Sequence, residues 1–311
     1  MSRLNLNSSF LRAVLIVALA IPFTGACVSL VDFWGSILGY SPILDIPSRP
    51  VASLTGTSFL QKTRRMSVEE REEAIFEELS SGNVPNHLRR WIAVPVSGVS
   101  RDGVSHAGEI YVLPDYLSIG SDEDFVRIPM TPLTAQRVAD KWGGLMVTRR
   151  VSDIIYANAE VKARPHPMPP GPWMTTSDYY LKHAGVLRRQ LAEDMTGRLI
   201  AGHKKDVVIS NLLFWHPRKV AIYGWHQPNG RAIQPLSIVH PNWYADYSHG
   251  IRLMRRHMMV DGQVRQVADI LKDPLLSVLL SDEGPFRLTR QPDGNINVGW
   301  NASPKKARAS L

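Results

Sequence analysis

Five prolines fall within eight residues, Pro165, Pro167, Pro169, Pro170 and Pro172, and neither helix nor sheet ladder can run through them. Proline fixes φ and carries no backbone N–H, so residues 164–173 are predicted as an extended connector. It divides the chain into an N-terminal helical and strand part, residues 66–164, and a C-terminal β-rich part, residues 174–290. Such a connector either separates two lobes or crosses one domain as a rigid loop. With 311 residues the chain is long enough for a sizeable core without covalent staples. Its single cysteine, Cys27, rules out a disulfide framework, a cysteine zinc cluster and an iron–sulfur site.

Local signals on both sides of the connector are clear. Ser67-Val68-Glu69-Glu70 is a capping box that opens a helix to about Leu79. Strands are expected at 91–96, 109–113 and 125–128. Thr131-Pro132 starts a helix that ends at Gly143-Gly144, and Thr148 caps another to about Ala159. Beyond the connector, residues 175–195 read as an amphipathic helix carrying His183. Residues 206–211, 219–225, 231–236 and 247–254 read as strands, and Asp261-Gly262 as the turn of a hairpin. A short apolar helix follows Asp273-Pro274. Helices thus precede and interrupt the strands, which predicts an α+β fold: a mainly antiparallel sheet with flanking helices. Residues 27–65 read as a linker and 291–311 as a basic tail.

The N-terminus carries a compartment signal. Arg3 and Arg12 flank a polar start, Ala13 to Phe23 are apolar apart from Pro22, and Thr24-Gly25-Ala26 supplies small residues before Cys27. This is the layout of a secretory signal peptide over residues 1–26. Cleavage after Ala26 would leave Cys27 first, the acylated position of bacterial lipoproteins, although Thr24 stands where that box has a branched aliphatic residue. Apolar residues continue to Leu38, so an uncleaved membrane anchor and a buried N-terminal helix compete with cleavage. Export to the periplasm, free or membrane-anchored, is the expectation.

Histidine marks where chemistry would sit. Of ten in the chain, His203, His216, His226, His240 and His249 lie between positions 203 and 249. Imidazole titrates near neutrality and ligates metals, so such a concentration suits proton transfer or metal binding. His203, Asp206, His226, Asp246 and His249 are the candidate catalytic residues, and Lys204, Lys205, Tyr223 and Ser248 the candidate substrate contacts. Period two places Tyr247 and His249 on one strand face and Ser248 on the other, against a Ser248–His249 nucleophile pair. His203, His226 and His249 are expected to line one pocket at the rim of an antiparallel sheet, with Asp206 or Asp246 bonded to one of them. Lys204-Lys205 reads as a solvated pair or a phosphate contact. Trp215, Trp225 and Trp243 read as core more than as a sugar platform.

The strings Gly202-His203-Lys204-Lys205-Asp206-Val207-Val208, Val220-Ala221-Ile222-Tyr223-Gly224-Trp225-His226, Ile233-Gln234-Pro235-Leu236 and Tyr244-Ala245-Asp246-Tyr247-Ser248-His249-Gly250 are similar to those of an uncharacterised family of exported bacterial proteins. The resemblance extends over about residues 122–284 and implies no activity for any residue. The chain lacks the Gly-x-x-x-x-Gly-Lys-Ser/Thr, Gly-x-Gly-x-x-Gly, Gly-x-Ser-x-Gly and His-Glu-x-x-His strings, so nucleotide-driven chemistry and the commonest serine hydrolase and zinc protease designs are unsupported.

Two functions follow. One is an exported hydrolase acting on a polar envelope polymer, peptidoglycan or polysaccharide, by acid–base catalysis or through a divalent metal such as zinc. The other is a non-catalytic envelope protein that binds an anionic polymer, in keeping with a net charge of +8. Nucleic acid is disfavoured, because Lys and Arg are scattered and the N-terminus points to export.

Overall fold

The computed structural model describes residues 43–191 and 197–293. The expected signal peptide, Cys27, the first part of the expected linker and the tail from residue 294 lie outside them.

Helix α1 (Gly56–Lys62) starts at Thr55, whose hydroxyl accepts the Ser58 N–H. It lies within the stretch expected as linker, and packing explains the correction. Phe59 and Leu60 are buried, and Gly56 approaches the backbone of residues 125–126 so closely that a Cβ would stand 2.6 Å from the Val126 nitrogen. Seven residues are too few for periodicity to announce a helix that tertiary contact stabilises. Helix α2 (Val68–Ser80) has its reciprocal capping box at Ser67 and Glu70. Strands β1 (Ile92–Val99) and β2 (Ser105–Val112) pair antiparallel, as do β3 (Ser118–Gly120) and β4 (Phe125–Arg127).

Helix α3 (Pro132–Lys141) is capped by Thr131, and after β5 (Gly144–Met146) helix α4 (Arg149–Asn158) is capped by Thr148. Strand β6 (Val161–Lys162) leads into the proline connector. Helix α5 (Ser177–Gln190) follows with Thr176 as cap, and its expected extension to 195 enters residues outside the described set. Then come β7 (Ile200–Ala201), β8 (Lys205–Val208), α6 (Leu212–Trp215), β9 (Ala221–His226), β10 (Ala232–Ser237), β11 (His249–Gly250), β12 (Leu253–Arg255), β13 (His257–Val260), β14 (Gln263–Gln266) and α7 (Val267–Lys272). The β13–β14 turn puts Asp261 and Gly262 both at positive φ (49° and 77°), the backbone an Asp-Gly pair tolerates best.

The architecture is α+β with mainly antiparallel sheets. A larger sheet runs β14-β13-β2-β12-β5, with β1 also on β2, and a smaller one runs β10-β9-β8-β11. One hydrophobic cluster extends from Leu44 to Phe286 and draws residues from both sides of the prolines, so the connector crosses a single core. Tyr247 and Tyr179 pin it: Met168 N–H donates to the Tyr247 hydroxyl (2.7 Å), and the Tyr179 hydroxyl donates to the Pro169 carbonyl (2.5 Å).

The expected strand 247–254 is two elements in two sheets, β11 and β12. Between them the chain crosses from one sheet to the other at Ile251-Arg252, both buried, so no exposed turn marks the break. Arg252 holds the crossing. Its guanidinium donates to the carbonyls of Leu113 (2.7 Å) and Ile200 (2.5 Å) and lies 4.5 Å over the Tyr116 ring. Replacing Arg252 by Met is expected to strand both buried carbonyls, at roughly 1–3 kcal/mol each. The urea midpoint should fall accordingly; an unchanged midpoint would show that the crossing does not depend on this side chain.

Candidate functional site

The two polar strings meet through parallel pairing. Residue His249 is the register partner of Lys205, and Gly250 of Asp206. Lys205 N–H donates to the Ser248 carbonyl (2.8 Å), and the Lys204 ammonium donates to the Tyr247 carbonyl (2.6 Å). Strand β9 pairs antiparallel on the other side of β8, bringing Gly224 opposite Lys205 and Tyr223 opposite Asp206. A Cβ on Gly250 would stand 2.6 Å from the Tyr116 ring and 2.8 Å from Lys204 Cβ, so the close approach requires glycine.

This sheet parts the candidate residues into groups. On the face covered by α4, Asp206 accepts from the Ser152 hydroxyl (2.5 Å). Asp153 of the same helix accepts from the Tyr223 hydroxyl (2.9 Å) and pairs with His226 Nε2 (2.8 Å). The His226 ring stacks on Tyr156 at 4.5 Å. Burial raises the Asp206 carboxyl above its ordinary range.

Lys205 alternates to the opposite face, where its ammonium lies 5.1 Å over the Trp225 ring. Here Asp246 Oδ1 accepts both the amide N–H (2.7 Å) and the hydroxyl (2.6 Å) of Ser248, a tight Asx turn rather than strand. Its Oδ2 accepts from the Tyr244 hydroxyl (3.2 Å) and stands 3.9 Å from His249 Nε2. Tyr244 stacks on His240 (4.1 Å) and meets the His249 ring edge-on (5.8 Å). His249 is fully buried, and neither of its ring nitrogens has a hydrogen-bond partner. Burial pushes it down to about 4, Asp246 only partly opposing, so the imidazole is neutral at pH 7. Burial alone would raise Asp246, but His249, the Ser248 hydroxyl and Lys205 more than offset that and hold it below the usual carboxylate range.

The third group is internal. Asp115 receives Arg127 (2.6 Å) on one oxygen and His203 Nε2 (3.1 Å) on the other, and holds its charge because these partners outweigh burial. Beside it Lys204 is buried rather than solvated, and burial pushes it down to about 7. His183, buried against Tyr247 (4.9 Å), has both ring nitrogens unpaired.

The expectation of one pocket shared by His203, His226 and His249 is therefore corrected. Each imidazole has its own carboxylate, Asp115, Asp153 and Asp246, and His226 and His249 lie on opposite faces of the small sheet. Asp206 bonds Ser152 instead of a histidine, because α4 packs over its face. Among the described residues no group of three or more His, Cys, Asp or Glu is placed to hold a metal ion, so these side chains do not fit the divalent-metal site expected as one alternative. Trp225 is core, but Trp215 and Trp243 are 44% and 63% exposed, against their reading as core. Asp115, Asp153, Ser152 and His183 carried no sequence signal of a role. Tyr244 stood inside one of the quoted strings, and His240 within the histidine concentration.

Buried His203 and His249, both held near 4 against an ordinary 6.5, make stability depend on pH. Between those values the unfolded chain binds protons that the folded protein refuses, so stability falls as pH drops from about 6.5 to about 4. The loss is roughly 3 kcal/mol per histidine at the usual conversion. Urea midpoints should fall steeply over this range, and less steeply in His249→Gln; a flat profile would contradict the buried neutral imidazoles.

No family model, curated protein or solved structure matches the chain.

Proposed function

We propose that the protein is an exported hydrolase acting on a polar envelope polymer, with His249 as general base, Asp246 as its orienting carboxylate and Lys205 as the cation that stabilises developing negative charge. The observation that carries this reading is the His249 imidazole: neutral, buried, unpaired at both nitrogens, with the Asp246 carboxylate 3.9 Å from Nε2 and Lys205 as its register partner. A buried polar group without a partner costs roughly 1–3 kcal/mol, and valine or isoleucine would fill the place without that cost. Proton transfer from a bound water is a use that needs a free ring nitrogen. The resulting hydroxide adds to an acyl carbon of the polymer, Asp246 stabilises the imidazolium, and Lys205 faces the oxyanion that forms. The imidazolium returns its proton to the leaving nitrogen or oxygen as the acyl bond breaks. Ser248 is not the nucleophile in this scheme, since its hydroxyl is committed to Asp246. His226 and Asp206 are assigned no step, because they lie on the far face of the sheet. The periplasmic or membrane-anchored location rests on the N-terminal sequence alone.

The complete burial of His249 favours a second reading, a non-catalytic protein that binds an anionic polymer while this cluster merely fixes the 244–249 loop. Turnover separates the two. Purified peptidoglycan or wall polysaccharide incubated with the protein should release soluble fragments with time. His249→Gln and Asp246→Asn should each lower the rate about 100-fold or more, the usual scale for losing an acid–base group, while His226→Gln lowers it less than tenfold. Salt-sensitive retention on the polymer with no fragments, or full turnover by folded His249→Gln, would favour the binding reading.

A further inference from the structure

Large apolar side chains gather on the surface near α6 and the loop after β10. Leu212 and Trp215, three apart on α6, share one helix face and are 38% and 44% exposed. Val239 and Trp243, on the loop, are 72% and 63% exposed. The backbone holds these two stretches together. Lys219 and Pro241 form an antiparallel bridge, Val220 N–H donates to the His240 carbonyl (3.2 Å), and Asn242 N–H donates to the Arg218 carbonyl (2.9 Å). A turn from His216 to Lys219 (3.1 Å) brings Trp215 back toward the bridge, and the register carries Trp243 to the level of Pro217.

Cations are set among these side chains. Arg218 and Arg287 are exposed; Lys219 is half-exposed, and its ammonium donates one hydrogen bond to the Val239 carbonyl (2.7 Å). The Arg287 guanidinium lies over both Phe214 (4.9 Å) and Trp215 (5.2 Å). The geometry points to an interfacial surface that seats on an anionic lipid bilayer: Trp215 and Trp243 at headgroup depth, Leu212 and Val239 entering the acyl boundary, Arg218, Lys219 and Arg287 against lipid phosphates. Tryptophan favours that boundary because one end of the ring is apolar and the N–H needs a polar partner. The cations gain from the negative surface potential of the same lipids. A glycan strand would stack on the tryptophans but give Leu212 and Val239 nothing, since a sugar face offers no apolar interior. This surface stands apart from the hydrolase reading, because none of its residues belongs to the His249 cluster. It adjoins that cluster through Trp243-Tyr244.

The test is amide hydrogen exchange of the full chain, read segment by segment so that attachment by the N-terminal residues is not mistaken for seating of this face. Vesicles of phosphatidylglycerol and phosphatidylcholine should slow exchange at least fivefold in residues 211–219 and 238–245, whereas phosphatidylcholine alone should not. Trp215→Ala/Trp243→Ala should abolish the slowing while leaving exchange of β8 and β9 unchanged without lipid. Absence of slowing with anionic vesicles overturns the proposal. So does equal slowing by a soluble anionic polysaccharide, which would make the face a glycan platform, or slowing that grows with protein concentration without lipid, which would make it a self-association surface.

Discussion

Two residue pairs of parallel ladder, Lys205 with His249 and Asp206 with Gly250, hold the candidate site together. Parallel strands need a long crossover, and here the crossover contains α6, β9, β10 and the loop that ends at Tyr244. The pairing therefore forces segments more than forty residues apart to begin their strands side by side. Lys204 reinforces it by spending its ammonium on the Tyr247 carbonyl, and Gly250 makes it sterically feasible. The Asx turn at Asp246-Ser248 then aims the second carboxylate oxygen back at His249. Arg252, one step further on, fixes where the chain leaves this sheet for the larger one.

A local irregularity in β9 decides what faces the site. Gly224 and Trp225 both adopt positive φ (98° and 57°), which is ordinary for glycine but costs about 1–2 kcal/mol for a tryptophan. Breaking the pleat there lets Tyr223 and His226 both turn toward α4 and Asp153, while the Trp225 indole goes to the other face beneath the Lys205 ammonium. A Cβ at Gly224 would stand 3.2 Å from the His226 ring and 3.3 Å from the Asp206 carboxylate, so the glycine is also what lets those two side chains lie close. The strained Trp225 lies under the Lys205 ammonium, whose backbone pairs with His249.

Much of the fold was legible because its signals are local. Caps at Ser67, Thr131 and Thr148, the Asp261-Gly262 turn and the proline connector each act within a few residues, and all appear where the sequence places them. Helix α1 and the split between β11 and β12 were not legible, since both depend on contacts with distant residues: Gly56 against 125–126, and Arg252 against Leu113 and Ile200. The site was legible as a set of strings but not as a grouping. Composition located His203, His226 and His249, whereas the sheet faces that separate them, and the carboxylates Asp115 and Asp153 that claim two of them, follow from register and from the seating of α4. Lys204 reads as a solvated charge in sequence and is an interior ammonium in the fold, because the parallel pairing buries it.

The proposed role of His249 requires a neutral imidazole, unpaired at both nitrogens, beside Asp246 and Lys205. Its most direct test is an NMR titration of the His249 imidazole, assigned by comparison with His249→Gln. The ring is expected to stay neutral as the pH is lowered through 6 and to begin protonating only near 4. Protonation at the ordinary value of 6.5 would mean that the imidazole is solvated or firmly ion-paired with Asp246, and would contradict that role.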